Sequence, residues 1–358
     1  MQNTVSVPRL LDEYRERSTP YFDSFFQKKI QEAEDIDNVT GDLLKYLHKL
    51  SAIGKKVRGF LVVLGYELAG GKDLQAIYDA SIFIEIAHAG LLVHDDIMDE
   101  DRLRRGQTTI HAFYENLGTK LKAKPSPKRY GESMGICAGD IAFYLSWEKL
   151  LTSSFPQEAI LAASRLYAEA FSRVAYGQVL DISASIKTLS EKEILNILLL
   201  KTAEYSGSLP LIIGATLAGS TDKHLLKNLK SFGLCLGWVF QIQDDILGVF
   251  GDEKVTGKPV GSDIREGKQT LLVSYFLSHA KMVERGQFLQ LYGKLDISQK
   301  EIKYVQNLFS QTGSYEYVNN VAEKYTSKGL VLVPKLTTSA QLLSILRELL
   351  LYIHNRTK

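Results

Sequence analysis

Apolar positions recur at helical spacing along nearly the whole chain. Between Leu10 and Glu34, the residues Leu10, Leu11, Tyr14, Phe22, Phe25, Phe26 and Ile30 form one stripe, which predicts a helix buried along that side. A loop with Gly54 and two lysines interrupts the pattern. A helix from about Arg58 to Leu68 then stops at Gly70-Gly71, where a left-handed residue can end it. Asp73 can cap the next helix. That helix runs to about Asp99, roughly 27 residues or ~40 Å at 1.5 Å per residue. It is apolar on every face (Ile82, Phe83, Ile84, Ile86, Ala87, Ala89, Leu91, Leu92, Val93), so it belongs in the interior. Further helices are predicted near Tyr130–Thr152, Gln157–Ser185, Glu191–Tyr205, Ser208–Leu217, Lys223–Phe250, Thr270–Ala280 and Ser298–Thr326, with an amphipathic one at Ser339–Asn355. No strand series, linker or internal repeat stands out, so the expectation is all-α and a single domain over residues 1–358.

Composition narrows the partners. Lys plus Arg is 43 and Asp plus Glu is 41, a net charge of +2, which argues against a general nucleic-acid binder. With 45% hydrophobic and 23% charged residues the chain is ordinary for a folded protein, not a disordered one. Only 8 prolines leave room for long helices. Two cysteines, Cys137 and Cys235, make no disulfide framework and fit a reducing cytoplasm. The N-terminus lacks the basic start and apolar core of a signal peptide. Apolar runs such as Leu209 to Ala218 are about half the ~20 residues of a membrane helix, so no transmembrane segment is expected. The basic segment Lys120, Lys122, Lys124, Lys128 and Arg129 around Pro125-Ser126-Pro127 reads as a solvated loop, with contact to an anionic membrane as the sharper alternative.

Charge is not evenly spread. The long apolar helix ends in a burst of acid, with Asp95, Asp96 and Asp99 followed by Glu100 and Asp101. Asp95 and Asp99 are one helical turn apart. A second acid pair, Asp244-Asp245, closes the apolar stretch Leu234–Ile242, and Asp252 follows. Negative charge is unfavourable at the C-terminal end of a helix dipole. Two such ends facing each other would line a mouth with carboxylates, the oxygen-only ligands that suit Mg²⁺ completed by substrate phosphates. Basic residues lie beside each cluster: Arg102, Arg104 and Arg105 after the first, and Lys254, Lys258 and Lys268 after the second. Gly54-Lys55-Lys56-Val57-Arg58 is a third basic element. Bidentate arginines and point-charge lysines could hold a second diphosphate without metal.

In this order the motifs resemble those of the trans-isoprenyl diphosphate synthases, the polyprenyl synthetase family, in their geranylgeranyl diphosphate synthase-like form. The residues that carry the resemblance are Asp95-Asp96-Ile97-Met98-Asp99, Gly54 to Gly59, His88, Gly177 to Ile182, Lys201-Thr202, Phe240 to Asp245, and the segment from Gly257 to Thr270. The resemblance implies a large helical bundle around a deep central cavity. It implies about three Mg²⁺ per site, held by Asp95, Asp99 and Asp244, with Asp96 and Asp245 supporting. Arg104, Lys201, Lys258 and Lys268 would grip the allylic diphosphate. Lys55, Arg58, His88 and Arg105 would bind isopentenyl diphosphate. Gln241 and Thr202 would face the allylic cation, and Gln178 and Asp181 would lie on the interior helix. A homodimer is implied as well. Three positions depart from the family pattern: Lys56 where Arg is usual, Gly59 where Pro is usual, and Gly248 in place of the third aspartate of the second motif.

The implied reaction is head-to-tail condensation of isopentenyl diphosphate with an allylic diphosphate. Neutralising the leaving diphosphate ionises the C–O bond, and a dry apolar cavity protects the cation. Small residues before Asp95 (Ala87 and Gly90, with Leu91 of middle size) leave the growing chain unblocked, and Phe83 would floor its path about 10 Å deeper. That depth suggests about C20, with C25 in reach. Two other readings compete. A class I terpene cyclase would need Asn, Ser and Glu in its second metal motif, where this chain has Asp244-Asp245. A non-catalytic modulatory subunit would be expected to have lost the first aspartates, and these are intact.

Overall fold

A computed structural model describes residues 6–251 and 260–356. The architecture is all-α apart from one two-stranded hairpin, as the periodicity predicts. Cα packing divides the chain into two compact units. The first comprises Pro8–Arg165 with Ile213–Ser220, and the second comprises Leu166–Ile212 and the chain from Thr221 onward.

The first unit is built on α1 (Val7–Glu34), α2 (Asn38–Ala52), α3 (Val57–Leu68), α4 (Leu74–Met98), α5 (Ile110–Leu121) and α6 (Pro127–Leu151). Its core gathers Phe22 and Phe26 of α1, Leu43, Leu44 and Leu47 of α2, Ile82, Ile86 and Val93 of α4, and Ala138 and Ala142 of α6. α4 is capped as predicted, by the Asp73 side chain on the Ala76 N–H at 3.0 Å. It carries thirteen buried residues on all sides. By length and mean hydropathy (1.5) α4 could cross a membrane, which the expectation overlooked. Yet 67% of that apolar window is buried within the protein, the mark of a core helix.

The second unit holds most of α7 (Gln157–Ser183), α8 (Glu191–Leu198), a π-helical segment (Leu199–Ser208), α10 (Lys223–Phe250), α11 (Ser262–Arg265), α12 (Leu271–His279), α13 (Met282–Leu291), α14 (Gln299–Gln311), α15 (Ser314–Leu332) and α16 (Ala340–His354). α9 (Leu209–Leu217) follows the π segment without a break. Phe276, Phe288 and Phe309 are the fully buried aromatic centre of this core. α10 and the π segment approach closely because both carry glycines at the contact. A Cβ on Gly207 would lie 2.0 Å from the Gly233 carbonyl oxygen, and one on Gly237 would lie 2.5 Å from the Ala203 Cα.

Several boundaries differ from the expectation. α2, α5, α11 and α13 lie where no helix was predicted. The stretch Ser298–Thr326 is two helices, split at Gly313, whose φ of 77° is left-handed. The helix expected over Glu191–Tyr205 leaves α geometry at Leu198. Of the basic segment expected as a loop, Lys120 lies in α5 and Lys128 and Arg129 lie in α6. Asp244-Asp245 close their apolar stretch but lie inside α10, which runs to Phe250 as predicted.

The glycine contacts yield a stability prediction. Gly207→Ala or Gly237→Ala must push α10 off the π segment, at a cost of about 1–3 kcal/mol. Gly286→Ala, in exposed α13 with open space around it, is expected to stabilise by about 0.5–1 kcal/mol. Urea unfolding of the three variants checks both signs.

Candidate active site

The first acid cluster sits where α4 ends and the chain reverses. Glu100 takes a left-handed φ of 54°, so the Glu100 N–H reaches the Ile97 carbonyl and the Asp101 N–H reaches the Asp96 carbonyl at 2.9 Å. This double return satisfies carbonyls that the helix end leaves open. A hairpin follows, β1 (Leu103–Arg104) against β2 (Gln107–Thr108), with Arg104 opposite Gln107. Its two-residue loop, Arg105-Gly106, has φ of 52° and 74°, the signs that match the twist of a tight hairpin.

That geometry returns two arginines to the site. Arg104 donates its Nε–H to the Asp96 carboxylate and lies 3.7 Å from Asp101. Asp96 is only 3% exposed. Burial pushes its carboxyl up to about 7 and outweighs the opposing pull of Arg104. Arg105 donates to the Ile53 carbonyl, and its guanidinium lies against Gly54. A Cβ on Gly54 (φ 135°) would come within 2.4 Å of that guanidinium, so glycine is required there.

The basic loop is anchored by Lys56 and Gly59, the two positions of its motif that depart from the family pattern. Lys56 donates to the Ser51 carbonyl, near the end of α2, and its ammonium lies 4.6 Å from the Phe22 ring centre. Burial holds that amine below its usual range, with Glu85 opposing. The Gly59 N–H donates to Glu85 Oε1 at 2.8 Å. A Cβ on Gly59 would meet the Tyr14 hydroxyl at 1.9 Å, so proline, which also lacks the N–H, has no place here. His88 is held well below the usual histidine range, first by burial and then by Arg58, Arg105, Lys56 and Arg104. It is therefore a neutral imidazole among cations. Arg58, His88, Arg104, Arg105 and Asp96 are thus brought together; Lys55, next to Lys56 in the chain, is exposed.

The path expected along α4 is altered. Phe83 and Ala87 have no accessible surface, and the Phe83 carbonyl accepts from Ser146 of α6 at 2.7 Å. Gly90 does not open onto space. A Cβ there would lie 3.0 Å from the Gly139 carbonyl oxygen and 3.1 Å from Ala142 and Phe143, all of α6. The small residue serves helix packing. The partly exposed face of α4 runs instead through His88, Leu91, Leu92 and Asp95.

The second cluster lies on α10. Thr202 of the π segment donates to Gln241 Oε1 at 2.8 Å, and Gln241 donates to Asp245 Oδ1 at 2.9 Å. Lys268 donates to the same Asp245 oxygen at 2.8 Å and lies 3.8 Å from Asp263. Burial alone would depress the Lys268 amine, but Asp245 and Asp263 together raise it well above its ordinary value. Lys201 pairs with Asp181 of α7 at 2.6 Å, which makes that aspartate a holder of the lysine. Gln178, one turn before Asp181 on α7, is partly buried. Asp244 accepts from Arg356, past the end of α16, at 2.6 Å. That contact spans 112 residues, and no local pattern announces it. Lys254, Lys258 and Asp252 lie outside the described residues.

Among the described residues no three acids or histidines form a ready metal cage. The donors are nonetheless carboxylate oxygens in pairs, which suits Mg²⁺: it is held by one or two carboxylates and completed by substrate phosphate. The residues fit an ion that arrives with a diphosphate.

A family model described as Polyprenyl synthetase matches residues 41–309. The chain belongs to the polyprenyl synthetase family. It is a prenyltransferase, with the all-α isoprenoid synthase fold. Among its relatives, a geranylgeranyl diphosphate synthase of Sulfolobus acidocaldarius is 34% identical over 85% of this chain and 89% of its own length. A geranylfarnesyl diphosphate synthase of Aeropyrum pernix is 31% identical over 90% of this chain and 98% of its own. Among solved structures, a geranylgeranyl pyrophosphate synthase of Corynebacterium glutamicum, complexed with isoprenyl diphosphate and magnesium, superposes with a TM-score of 0.89 at 28% identity. That similarity covers 98% of this chain and 100% of the other.

The buried Asp96 makes stability depend on pH. Its folded-state pKa is raised, so its contribution is most favourable below about 3.8 and is lost as pH rises through about 7. Asp96→Asn removes this dependence. Chemical denaturation from pH 4 to 8 should show the stability difference, wild type minus variant, falling with pH and levelling off above about 7.

Proposed function

We propose that the chain condenses isopentenyl diphosphate head-to-tail with an allylic diphosphate to give a trans-polyprenyl diphosphate of about C20 to C25. The observation that carries this reading is the composition of the two clusters. Each pairs carboxylates with basic side chains instead of closing a metal cage, as a site does that receives a metal–diphosphate. Geranylgeranyl and geranylfarnesyl diphosphate synthases among the relatives support the length range. We assign the whole chain, residues 1–358, to one catalytic domain.

In this reading Asp95, Asp99 and Asp244 would hold Mg²⁺, three ions per site, with Asp96 and Asp245 supporting. Bound there, Mg²⁺ would supply neutralisation of the departing diphosphate, which favours ionisation of the allylic C–O bond. Arg104, Lys201, Lys258 and Lys268 grip the same diphosphate. Lys55, Arg58, Arg105 and neutral His88 hold isopentenyl diphosphate and aim its double bond at the allylic C1. The hydrogen bond from Thr202 fixes the Gln241 side chain, and in this reading both residues face the allylic cation. Loss of a proton to the released diphosphate completes the reaction.

We place the enzyme in the cytoplasm, in keeping with two free cysteines, one exposed and one buried. A homodimer is supported by an apolar stripe on α6. Ile136, Tyr144, Trp147 and Leu151 recur at helical spacing and are 42%, 73%, 38% and 51% exposed. Tyr144→Glu is expected to shift the chain from dimer to monomer in light scattering.

Incubation with Mg²⁺, isopentenyl diphosphate and each of the C5 to C20 allylic primers, followed by product sizing, tests the reaction. Failure with every primer sinks the assignment. Asp95→Asn is expected to lower kcat by about 10²-fold or more. For chain length, Leu91→Phe on the open face of α4 is expected to shorten the product. Phe83→Ala is expected to leave the length unchanged while costing about 3–5 kcal/mol of stability. Shortening by neither variant of α4's open face, Leu91→Phe or Leu92→Phe, would remove the proposed path.

A further inference from the structure

Charge also gathers in the connection from α5 to α6. Residues 119–129 carry Lys120, Lys122, Lys124, Lys128 and Arg129 and no acid, while the whole chain is only +2, so the remainder is net negative. Lys128 and Arg129 have acidic neighbours: Lys128 pairs with Glu100 at 2.7 Å, and Arg129 lies 3.7 Å from Glu132. Lys120, Lys122 and Lys124 are exposed and form no ion pair among the described residues. Between the first two stands Leu121, 68% exposed. It follows Tyr114 and Leu117 of the first unit's core at helical spacing, at the point where the stripe runs past that core.

The segment is held in shape. Lys122 ends α5 in the left-handed region at φ 54°, with its N–H 3.4 Å from the Thr119 carbonyl oxygen, and the Ala123 N–H donates to the Gly118 carbonyl at 2.8 Å. Tyr130, Ala123 and Pro127 close over Gly118, where a Cβ would lie 3.0 to 3.3 Å from them. The Ser126 side chain accepts the Arg129 N–H at 3.2 Å and starts α6. Position 122 is the informative one. A helix that ends on a left-handed residue is best served by glycine. The helix C-terminus also favours a cation, but Lys120 already supplies one in the last turn. The lysine at 122 therefore works against the local backbone and gains no acid in return.

A nucleic acid or an acidic protein would pair with the lysines and leave Leu121 in water. An anionic bilayer takes both: ammonium groups on long stems stay among the headgroups while the leucine passes below them. We propose that Lys120, Leu121, Lys122 and Lys124 form a docking surface for an anionic phospholipid membrane, with the lysines at the headgroups and Leu121 inserted. The Lys128–Glu100 pair ties this surface to the turn that follows Asp99. The inference does not depend on the proposed reaction.

The test is flotation of the full chain with vesicles of phosphatidylcholine alone and of equal parts phosphatidylcholine and phosphatidylglycerol. Wild type is expected to float with the anionic vesicles only, and to be released as KCl is raised, because salt screens exposed charges. Lys120→Gln/Lys122→Gln/Lys124→Gln is expected to weaken binding about 100-fold, and Leu121→Gln about tenfold. The matched control Lys223→Gln/Lys227→Gln/Lys230→Gln removes the same charge from exposed positions of α10 and is expected to bind like wild type. Lys122→Gly separates docking from folding: a higher melting temperature with about fivefold weaker binding is expected. A lower melting temperature with unchanged binding marks a lysine kept for the fold alone and overturns the proposal. So do a wild type that floats with neither or both kinds of vesicle, a control as weak as the first triple variant, and Leu121→Gln at wild-type affinity. Tighter binding to single-stranded RNA than to the anionic vesicles overturns it as well. Prenyl transfer in solution is expected to be unchanged in the docking variants, so failure of the reaction and failure of docking are read separately.

Discussion

The constraint on which this structure turns is the cost of holding carboxylates out of water. Removing an ionised carboxyl from water costs several kcal/mol even after the surroundings relax. At Asp96 that cost exceeds what Arg104 returns, since the carboxyl is pushed up to about 7 with the guanidinium in contact. At Asp245 the compensation is more complete, with both the Lys268 ammonium and the Gln241 amide on one oxygen. Asp244 is met by Arg356 and Asp181 by Lys201. In each case a cation from the chain stands against an acid.

The same need shapes the backbone. Arg104 reaches Asp96 only because the chain reverses at Glu100 and again at Arg105-Gly106, three left-handed residues within seven positions. A left-handed residue other than glycine costs roughly 1–2 kcal/mol, so Glu100 and Arg105 store strain at the site they serve. The π segment is a second such device. It carries Lys201 and Thr202, and the glycine contacts of α10 draw it close enough for Thr202 to reach Gln241. Departures from α geometry of this kind cluster at functional sites.

The cationic side of the site follows a parallel logic. Burial first, and then Arg58, Arg105, Lys56 and Arg104, hold His88 as a neutral ring. Protonated, it would add a fifth positive charge to a crowded place; neutral, it offers one donor N–H and one acceptor nitrogen. Lys56 spends its charge on the end of α2 and on Phe22, so the departures at positions 56 and 59 serve to fix the loop that carries Lys55 and Arg58.

Periodicity alone determined that the chain is helical and that α4 is a core helix, and motif order alone put forward the acids and bases of the proposed site. These are local properties: a helix face repeats every 3.6 residues, and a run of aspartates is visible without its neighbours. Four helices lie outside the predicted ones, α2 among them with Leu43, Leu44 and Leu47. Their apolar stripes are short, so the helical period repeats too few times to stand out from the flanking loops. What only the tertiary structure decided are matters of close approach between distant segments. Gly90 is small because α6 passes there, not to open a path. Gly59 makes room for Tyr14, and Gly248 for Asp263. The partner of Asp244 is Arg356, 112 residues away. A glycine has no side chain by which its neighbour can be inferred, and a salt bridge across the fold leaves no periodic trace, so both had to await the packing.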